Sequence, residues 1–263
     1  MSFPSKIICL TEETVETLYL LGRSDLILGI SQFVERPIEA KLNHPAVSQF
    51  VRSDIEQILK LKPDLIIGFS DIQKDIAREL IGRGLNVLVT NQRSLSEILD
   101  QILLLGRLIG EEKNASKLVN EFSIKLENFR ERSKTRRKVK VYFEEWDQPR
   151  LSGIQWVSEL VEATGGTNIF HHKIGSLATD RAVTDEEIVE LNPDVIIGCW
   201  CGKKVKIESF AKRVGFEKVS AIKNNQIFEV SPAIFLQPGP ALFVDGLDQM
   251  FQLLGNTSSA LDD

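Results

Sequence analysis

Two adjacent carboxylates and one cysteine are the side chains of this sequence best suited to chemistry. Glu144 and Glu145 follow an apolar segment that predicts a buried strand, and Cys201 lies between Trp200 and Gly202. A carboxylate pair can transfer protons or bind a metal, although such pairs more often accept hydrogen bonds from a ligand or the backbone. The thiolate of Cys201 can bind a soft metal, and a small side chain filling space beside the tryptophan is an equal alternative.

Two neighbouring histidines, His171 and His172, follow the polar segment 165–168. A neutral imidazole can be an axial ligand of haem iron or cobalt, whereas histidines in a polar loop are more often simply exposed. Cys201, His171 and His172 are therefore the candidate metal ligands, and the metal itself stays open. The sequence contains no Gly-rich phosphate loop, Gly-x-Ser-x-Gly elbow or His-Glu-x-x-His run, so it favours a binding protein over an enzyme.

An internal repeat shows which elements position these residues. Segment 58–69 returns as segment 188–199, with Pro63-Asp64 aligned to Pro193-Asp194. Each copy predicts a helix that ends at the residue before proline. The apolar run that follows is typical of a parallel strand covered on both faces.

Further strands and helices alternate on either side of each copy, which predicts βαβ units and a parallel sheet in each half. The predicted strands are 6–10, 26–30, 65–68, 87–89, 139–143, 195–198 and 227–230. The predicted helices are 13–21, 55–61, 71–82, 155–164, 185–191, 207–213 and 241–254.

A long helix at 113–133 is predicted between the two repeat copies, because apolar residues recur there at helical spacing. At 1.5 Å per residue it would run roughly 30 Å, and a peripheral helix of one domain is the alternative. The predicted fold class is α/β, with two Rossmann-like lobes containing parallel sheets and joined by one long α-helix. The lobes are placed at 1–94 and 137–263, with a linking helical region at 95–136.

Composition restricts the partners. Hydrophobic residues make up 43% of the 263 residues, charged residues 26%, and the net charge is −5, which argues against nucleic acid as a partner. The basic run 134–140 is short and interrupted, so it predicts a solvated linker. No segment approaches the roughly 18–20 apolar residues of a membrane span.

The N-terminal apolar run 7–10 is too short for a secretory signal. A cytoplasmic location is therefore expected for the chain as given, or a periplasmic or extracellular one if the chain has been trimmed. Three cysteines, an odd number, fit free thiols in a reducing compartment.

The chain resembles the helical-backbone (class III) substrate-binding proteins of ABC transporters. The repeated Pro-Asp-(Leu/Val)-Ile-Ile-Gly strands carry this resemblance, together with segments 9–15 and 159–170. Within the class the chain is most similar to the cobalamin-binding members, through segments 143–147, 152–156 and 200–204. The resemblance implies binding of a corrinoid or related metal-chelate or tetrapyrrole ligand between the lobes, with no cofactor required for function. The implied partner is an ABC permease or, for a carrier or sensor, a cytosolic acceptor protein.

Ligands of parallel α/β sheets bind beyond the carboxyl ends of the strands, which selects the candidate ligand-binding residues. They are Thr11, Glu12, Phe33, Phe69, Ser70, Gln92, Glu144, Glu145, Trp146, Trp156, Trp200, Cys201, Gly202 and Phe235. The rings of Phe69, Trp146 and Trp200 are expected to face one another and stack on a flat ligand. A core position is the alternative for Phe69 and Phe235.

Two features bear on partners and on a competing function. Members of the resembled family present an acidic residue of each lobe to the permease; Asp71 and Asp75 can serve in the first lobe, whereas lysines follow Trp200 in the second. The competing hypothesis is an enzyme on the same scaffold that uses Glu144, Glu145 and Cys201.

Overall fold

The computed structural model describes residues 3–175 and 177–262, with the side chains of 259–262 left out. The chain forms two compact units. The first contains the chain up to Gln92 together with Ser96–Glu121, and the second contains Arg93–Leu95 and the chain from Phe122 onward. Among the described residues, no helix is long and apolar enough to cross a membrane.

The first unit is built on a five-stranded, fully parallel sheet in the order β3-β2-β1-β4-β5. Its strands are β1 (Ile7–Cys9), β2 (Ile27–Ser31), β3 (Ala46–Ser48), β4 (Leu65–Phe69) and β5 (Val87–Thr90). Its helices are α1 (Glu12–Leu20), α2 (Ile38–Asn43), α3 (Ile55–Leu61) and α4 (Lys74–Gly82), with 3-10 turns at Ser24–Leu26 and Asp71–Gln73. This strand order is that of a doubly wound fold, with the switch point between β1 and β4.

Two helices, α5 (Leu95–Leu108) and α6 (Glu112–Ser133), follow the first sheet. They pack tightly at their turn, because a Cβ on Gly106 would meet the Cβ of Ala115 at 2.2 Å. The predicted helix at 113–133 is confirmed: α6 is continuous over 22 residues, about 33 Å at 1.5 Å per residue. The chain passes from the first unit to the second within α6.

The second unit has a mixed five-stranded sheet. Its strands are β6 (Val139–Asp147), β7 (Arg150–Ser152), β8 (Gly166–Asn168), β9 (Val195–Gly198) and β10 (Ile227–Glu229). Strands β8, β9 and β10 run parallel to their neighbours, whereas β7 pairs antiparallel with β6. Its helices are α7 (Gln155–Ala163), α8 (Asp185–Leu191), α9 (Ile207–Phe210), α10 (Ser220–Lys223), α11 (Pro232–Phe235) and α12 (Leu247–Asp262).

The two copies of the sequence repeat lie in separate sheets, as predicted, and perform the same task in each. The residue before each proline, Lys62 or Asn192, ends its helix in the left-handed conformation, at φ 51° and 45°. The carboxylate of Asp64 then accepts a hydrogen bond from the Lys6 amide at 3.0 Å. Asp194 likewise accepts a hydrogen bond from the Lys140 amide at 2.8 Å. Each of these two contacts fastens a repeat strand to the start of the central strand beside it.

Several predicted elements need correction. Strand β6 continues to Asp147, four residues beyond its predicted end, because it forms a hairpin with β7. The second sheet is for this reason not wholly parallel. Predicted helix 207–213 is only one turn long. Predicted helix 241–254 is confirmed, with a π-helical turn at Leu242–Gly246 near its start, and it continues through α12 to Asp262. Short elements such as α2, β3 and β8 have too few residues to show a periodic pattern.

The paired aspartate contacts give a first prediction. Asp64→Ala and Asp194→Ala should each lower the free energy of unfolding by about 1–2 kcal/mol, because a strand amide loses its acceptor. Asp75→Ala is the matched control: that side chain is exposed and its Arg78 partner lies at 3.6 Å, so a loss below about 0.5 kcal/mol is expected. Urea unfolding measures all three. Equal effects of Asp64→Ala and Asp75→Ala would contradict the strand-fastening role.

Candidate functional site

The carboxylate of Glu144 is completely buried in the second unit and saturated with donors. Its Oε2 accepts from the Tyr142 hydroxyl at 2.8 Å and from Arg213 Nη1 at 2.6 Å. Its Oε1 accepts from Arg213 Nη2 at 2.8 Å and from Trp200 Nε1 at 3.1 Å. With two donors on each oxygen and a bidentate guanidinium, this carboxylate has no lone pair left for a substrate or metal.

Local structure explains how this network forms. Tyr142 and Glu144 are two residues apart on β6 and so point to the same face. Burial by itself lowers the pKa of Arg213, but the hydrogen bonds to Glu144 and its charge outweigh that effect, so the pKa is raised overall. Burial, and after it the charge of Glu144, raise the pKa of Tyr142 well above its ordinary value. Arg213 therefore stays charged and Tyr142 stays neutral, and the network keeps its pattern of donors.

Trp200 belongs to the core of the second unit rather than to a binding surface. Its side chain is 2% exposed and packs among apolar residues that include Ile196, Val205 and Phe216. Its ring centroid lies 6.2 Å from that of Phe210. Trp200 therefore does not have the exposed position that was predicted for a stacking residue. Its indole N–H donates inside the unit, to Glu144.

Glu145 is held by a second, separate ion pair. Arg181 is buried and binds both carboxylate oxygens of Glu145, and it also donates to the Ser152 carbonyl at 2.7 Å. Because each carboxylate is bound by its own arginine, Glu144 and Glu145 do not act as the carboxylate pair that the sequence suggested. Neither is available for acid–base work.

Trp146 is the partly exposed aromatic residue at the end of β6. Its Nε1 donates to the Gln148 carbonyl at 2.8 Å. The ammonium of Lys203 lies 4.0 Å from the centroid of this ring and pairs with Asp147 at 2.5 Å. The indole therefore presents an apolar ring beside a cation–π contact.

The other candidates of the second unit separate into buried and exposed groups. Trp156 is buried, and its Nε1 donates to the carbonyl of Phe235 at 2.9 Å. Phe235 is fully buried, and its ring centroid lies 6.4 Å from that of Phe143. Both are core residues, the alternative already named for Phe235. Cys201 and Gly202 are exposed, in a turn where Gly202 adopts φ +74°.

The candidate metal ligands are not gathered into a metal site. His171 and His172 are exposed and stack edge to face at 5.6 Å, and His171 Nδ1 lies 3.1 Å from the Asn168 carbonyl oxygen. In the part of the chain that the structure describes, no group of three or more His, Cys, Asp or Glu side chains is arranged to hold a metal ion.

In the first unit, buried carboxylates open helix α1. Glu12 Oε2 accepts from the Glu35 amide at 2.9 Å, and Glu13 Oε1 accepts from the Thr11 hydroxyl at 2.6 Å. Glu12 Oε1 and Glu13 Oε2 are buried and have no hydrogen-bond partner among the described residues. Glu16, one turn later, pairs with Arg36 at 3.0 Å.

Burial is the main cause of the raised pKa values in this cluster. It raises the pKa of Glu12 to about 8 and that of Glu13 to about 7, and the charge of Glu16 adds to both shifts. The sequence selected Thr11 and Glu12 but missed Glu13 and Glu16. The i, i+4 spacing of Glu12 and Glu16 is the signal that could have found the latter.

Gln73, which the sequence did not select, organises the carboxyl ends of β1 and β4. Its Oε1 accepts from the Phe69 amide at 2.9 Å, and its Nε2 donates to the carbonyls of Leu10 and Phe50 at 3.3 and 2.9 Å. Gly68 leaves the space for this amide, since a Cβ there would meet Gln73 Oε1 at 2.7 Å.

The remaining candidates of the first unit lie close to these strand ends. Phe69, Ser70 and Gln92 are buried, which gives Phe69 the core position left open as its alternative. Ser70 adopts φ 56°, an uncommon conformation for a residue other than glycine and one that recurs at functional sites. Phe33, just past β2, is 54% exposed.

Together these features define a two-unit α/β protein that carries polar and aromatic groups at its strand ends. Its sequence matches the family described as periplasmic binding protein over residues 7–233. The chain belongs to this family. The predicted fold class and family resemblance are thus confirmed, and the proteins that it resembles are substrate-binding proteins rather than enzymes.

Individual relatives extend over nearly the whole chain. An uncharacterized ABC transporter substrate-binding lipoprotein of Bacillus subtilis, YvrC, is 28% identical over 94% of this chain and 79% of its own length. A vitamin B12-binding protein of Vibrio cholerae is 25% identical over 94% and 88%. The crystal structure of a possible iron-binding (periplasmic solute-binding) protein from Staphylococcus epidermidis superposes with a TM-score of 0.81 at 26% identity, covering 96% and 99%.

The Glu144 network gives a second prediction. Glu144→Gln keeps the shape but leaves the buried Arg213 without its counter-charge, so the free energy of unfolding should fall by about 3–5 kcal/mol. Glu217→Gln, on an exposed residue of the same unit, should change it by less than about 0.5 kcal/mol. Urea unfolding at neutral pH compares the two. A loss below about 1 kcal/mol for Glu144→Gln would show that the network is not a principal support of the unit.

The α1 carboxylates give a third prediction, on pH. The folded-state pKa values, about 8 for Glu12 and about 7 for Glu13, lie above the ordinary 4.5. The contribution of these glutamates to the free energy of unfolding is therefore fully present below their unfolded-state pKa values. It is lost as the pH rises through 7 and 8. The free energy of unfolding should fall between about pH 5 and about pH 9, and Glu12→Gln should reduce that fall by about 1 kcal/mol or more.

Glu39→Gln is the control for this pH series, because Glu39 is exposed in the same unit. Its profile from urea unfolding should follow the wild type. If Glu12→Gln and Glu39→Gln give the same pH dependence, Glu12 does not hold its proton in the folded state.

Proposed function

We propose that this protein binds a corrinoid, cobalamin-like ligand reversibly and delivers it as the substrate-binding component of an ABC transporter. The observation that carries the proposal is the alignment of a vitamin B12-binding protein with 94% of this chain at 25% identity. A related metal chelate or tetrapyrrole is the same class of cargo, and the solved relative described as possibly iron-binding supports that breadth. Binding and release require no bond to be made or broken, so no cofactor is needed.

Exposed aromatic rings at strand ends support a large, flat ligand. In the first unit, Phe33 follows β2 and its amide donates to Ser31 Oγ at 3.3 Å, which fixes the backbone below an exposed ring. In the second unit, Trp146 ends β6 and keeps part of its ring accessible beside Lys203. Flat apolar surfaces with a few placed polar groups are typical of macrocycle sites. Trp146 therefore keeps the stacking role predicted for it, and Phe33 takes the role predicted for Phe69 and Trp200.

The two carboxylates on which the enzyme hypothesis relies are both engaged in ion pairs. Glu144 is bound by Arg213 and Glu145 by Arg181, so neither carboxylate is available to a substrate. Cys201 is exposed, but neither glutamate can act as its general base. Reversible binding remains the function that these side chains can perform.

An ABC permease is the partner that this function requires. Asp71 and Asp75 are exposed in the first unit, where an arginine of a permease can reach them. In the second unit, Lys203 forms an ion pair with Asp147, and the neighbouring Lys204 is exposed. We therefore propose contact with the permease through the first unit. The cytosolic acceptor protein stays a prediction. So does the location, cytoplasmic for the chain as given or periplasmic or extracellular for a trimmed chain, and fractionation of the producing cell tests it.

Ligand binding gives a fourth prediction. Calorimetry with cobalamin, cobinamide and haem should show at least one of them binding at micromolar Kd or tighter. Phe33→Ala and Trp146→Ala should each weaken that binding by about tenfold or more, since central aromatic contacts typically contribute about 2 kcal/mol. Trp200→Ala should instead cost about 3–5 kcal/mol of stability, as for a core residue.

Leu42→Ala and Val214→Ala are the matched controls, because both remove exposed apolar side chains, 82% and 87% accessible, one in each unit. Their affinities should equal the wild type. If none of the three ligands binds at micromolar concentration, the ligand class is wrong. If binding occurs but Phe33→Ala and Trp146→Ala leave it unchanged, the ligand does not rest on these rings.

A further inference from the structure

Two arginines converge on one aromatic ring at the end of α6, in the second unit. The guanidinium carbon of Arg136 lies 3.5 Å from the ring centroid of Phe251 on α12, and that of Arg132 lies 4.4 Å from the same centroid. Beside them is a pocket of about 440 Å³, whose wall includes Asp248, Gln252, Asn256 and Ser258. Like charges brought this close on one ring call for a nearby negative charge.

Two neighbouring basic side chains are paired with carboxylates, whereas Arg132 and Arg136 have no such partner among the described residues. Arg130 pairs with Glu127 at 2.5 Å, and Lys134 pairs with Glu131 at 2.6 Å. Over the described residues, neither Arg132 nor Arg136 has a carboxylate within ion-pair distance.

The acidic residue in the wall of the pocket does not change this balance. Asp248 is paired with Lys125 at 2.6 Å. Among the described residues, the pocket therefore carries two uncompensated positive charges and no uncompensated negative one.

The arrangement also holds Arg136 partly out of water. Its Nη1 donates to the Phe251 carbonyl at 3.0 Å, and Gly255 makes room for it, since a Cβ there would meet Nη1 at 2.8 Å. Burial, and after it the charge of Arg132, lower the pKa of Arg136. The basic run 134–140 is thus not wholly a solvated linker: one of its members is fixed on a ring.

We propose that this pocket binds an oxyanion of the phosphate class. Two guanidinium groups offer planar forks of donors that match phosphate oxygens. The amides of Gln252 and Asn256 and the hydroxyl of Ser258 supply further donors on the same wall. None of the residues that line this pocket is among those proposed to bind the cargo, so the two proposals can fail independently of each other.

Titration with inorganic phosphate tests the site, at constant ionic strength maintained with sodium chloride. The wild type should show saturable binding, with a dissociation constant of about 1 mM or tighter, by calorimetry. Arg132→Gln should weaken binding about fivefold or more. Arg132 is exposed, but its guanidinium stacks on the rings of Phe129 and Phe251, so the thermal midpoint of this variant is measured as well and should fall by less than about 4 °C. Arg130→Gln, two residues earlier on α6 and already paired with Glu127, should bind as the wild type does.

Two results would overturn the proposal. One is a wild type that responds to phosphate no more than to chloride at equal ionic strength. The other is equal affinity in Arg132→Gln and Arg130→Gln.

Vesicles distinguish the source of the phosphate group. Retention on phosphatidylglycerol vesicles, absent on phosphatidylcholine and lost in Arg132→Gln, assigns the site to a lipid headgroup. Phosphate binding without vesicle retention assigns it to a free phosphate or phosphomonoester. Either result supports an oxyanion site.

Discussion

The buried ion pair between Glu144 and Arg213 is the constraint on which the second unit depends. An unpaired carboxylate in this position would carry a desolvation cost of several kcal/mol, so the chain must deliver Arg213, Tyr142 and Trp200 to it together. These donors come from β6, from the second residue after β9 and from the segment after α9. One carboxylate thereby fixes the relative positions of two neighbouring strands and the loop that crosses their ends.

The first unit solves the same problem of buried charge in a different way. Glu12 and Glu13 lie at the start of α1 with one oxygen of each lacking a hydrogen-bond partner among the described residues, and burial raises their pKa values towards neutrality. The second unit thus pairs its buried carboxylate, Glu144, with an arginine, whereas the buried carboxylates of the first unit are placed to hold protons. The strand ends of the two sheets therefore differ in electrostatic character despite their common architecture.

The sequence predicted the repeat strands, α6 and most helices, because each depends on a periodic pattern or on proline and needs no distant partner. It failed where exposure was decided by residues far along the chain. Trp200 is flanked by cysteines and glycine, and so looked like a loop residue, but Glu144 and Phe210 enclose it. Glu144 itself looked like a strand-end ligand because a sequence does not show that Arg213 will reach it. Phe33 was selected as an aromatic residue past a strand, and its exposure could only be read from the structure.

The aspartate contacts of the repeat also bear on the order in which the molecule folds. Asp64 closes a loop of 58 residues with Lys6, and Asp194 closes one of 54 residues with Lys140. The entropy lost on closing a loop grows only with the logarithm of its length, so the two closures cost almost the same. These two closures therefore give neither sheet an advantage in speed, and a difference in their folding rates must come from other contacts, such as the local β6–β7 hairpin that only the second sheet has.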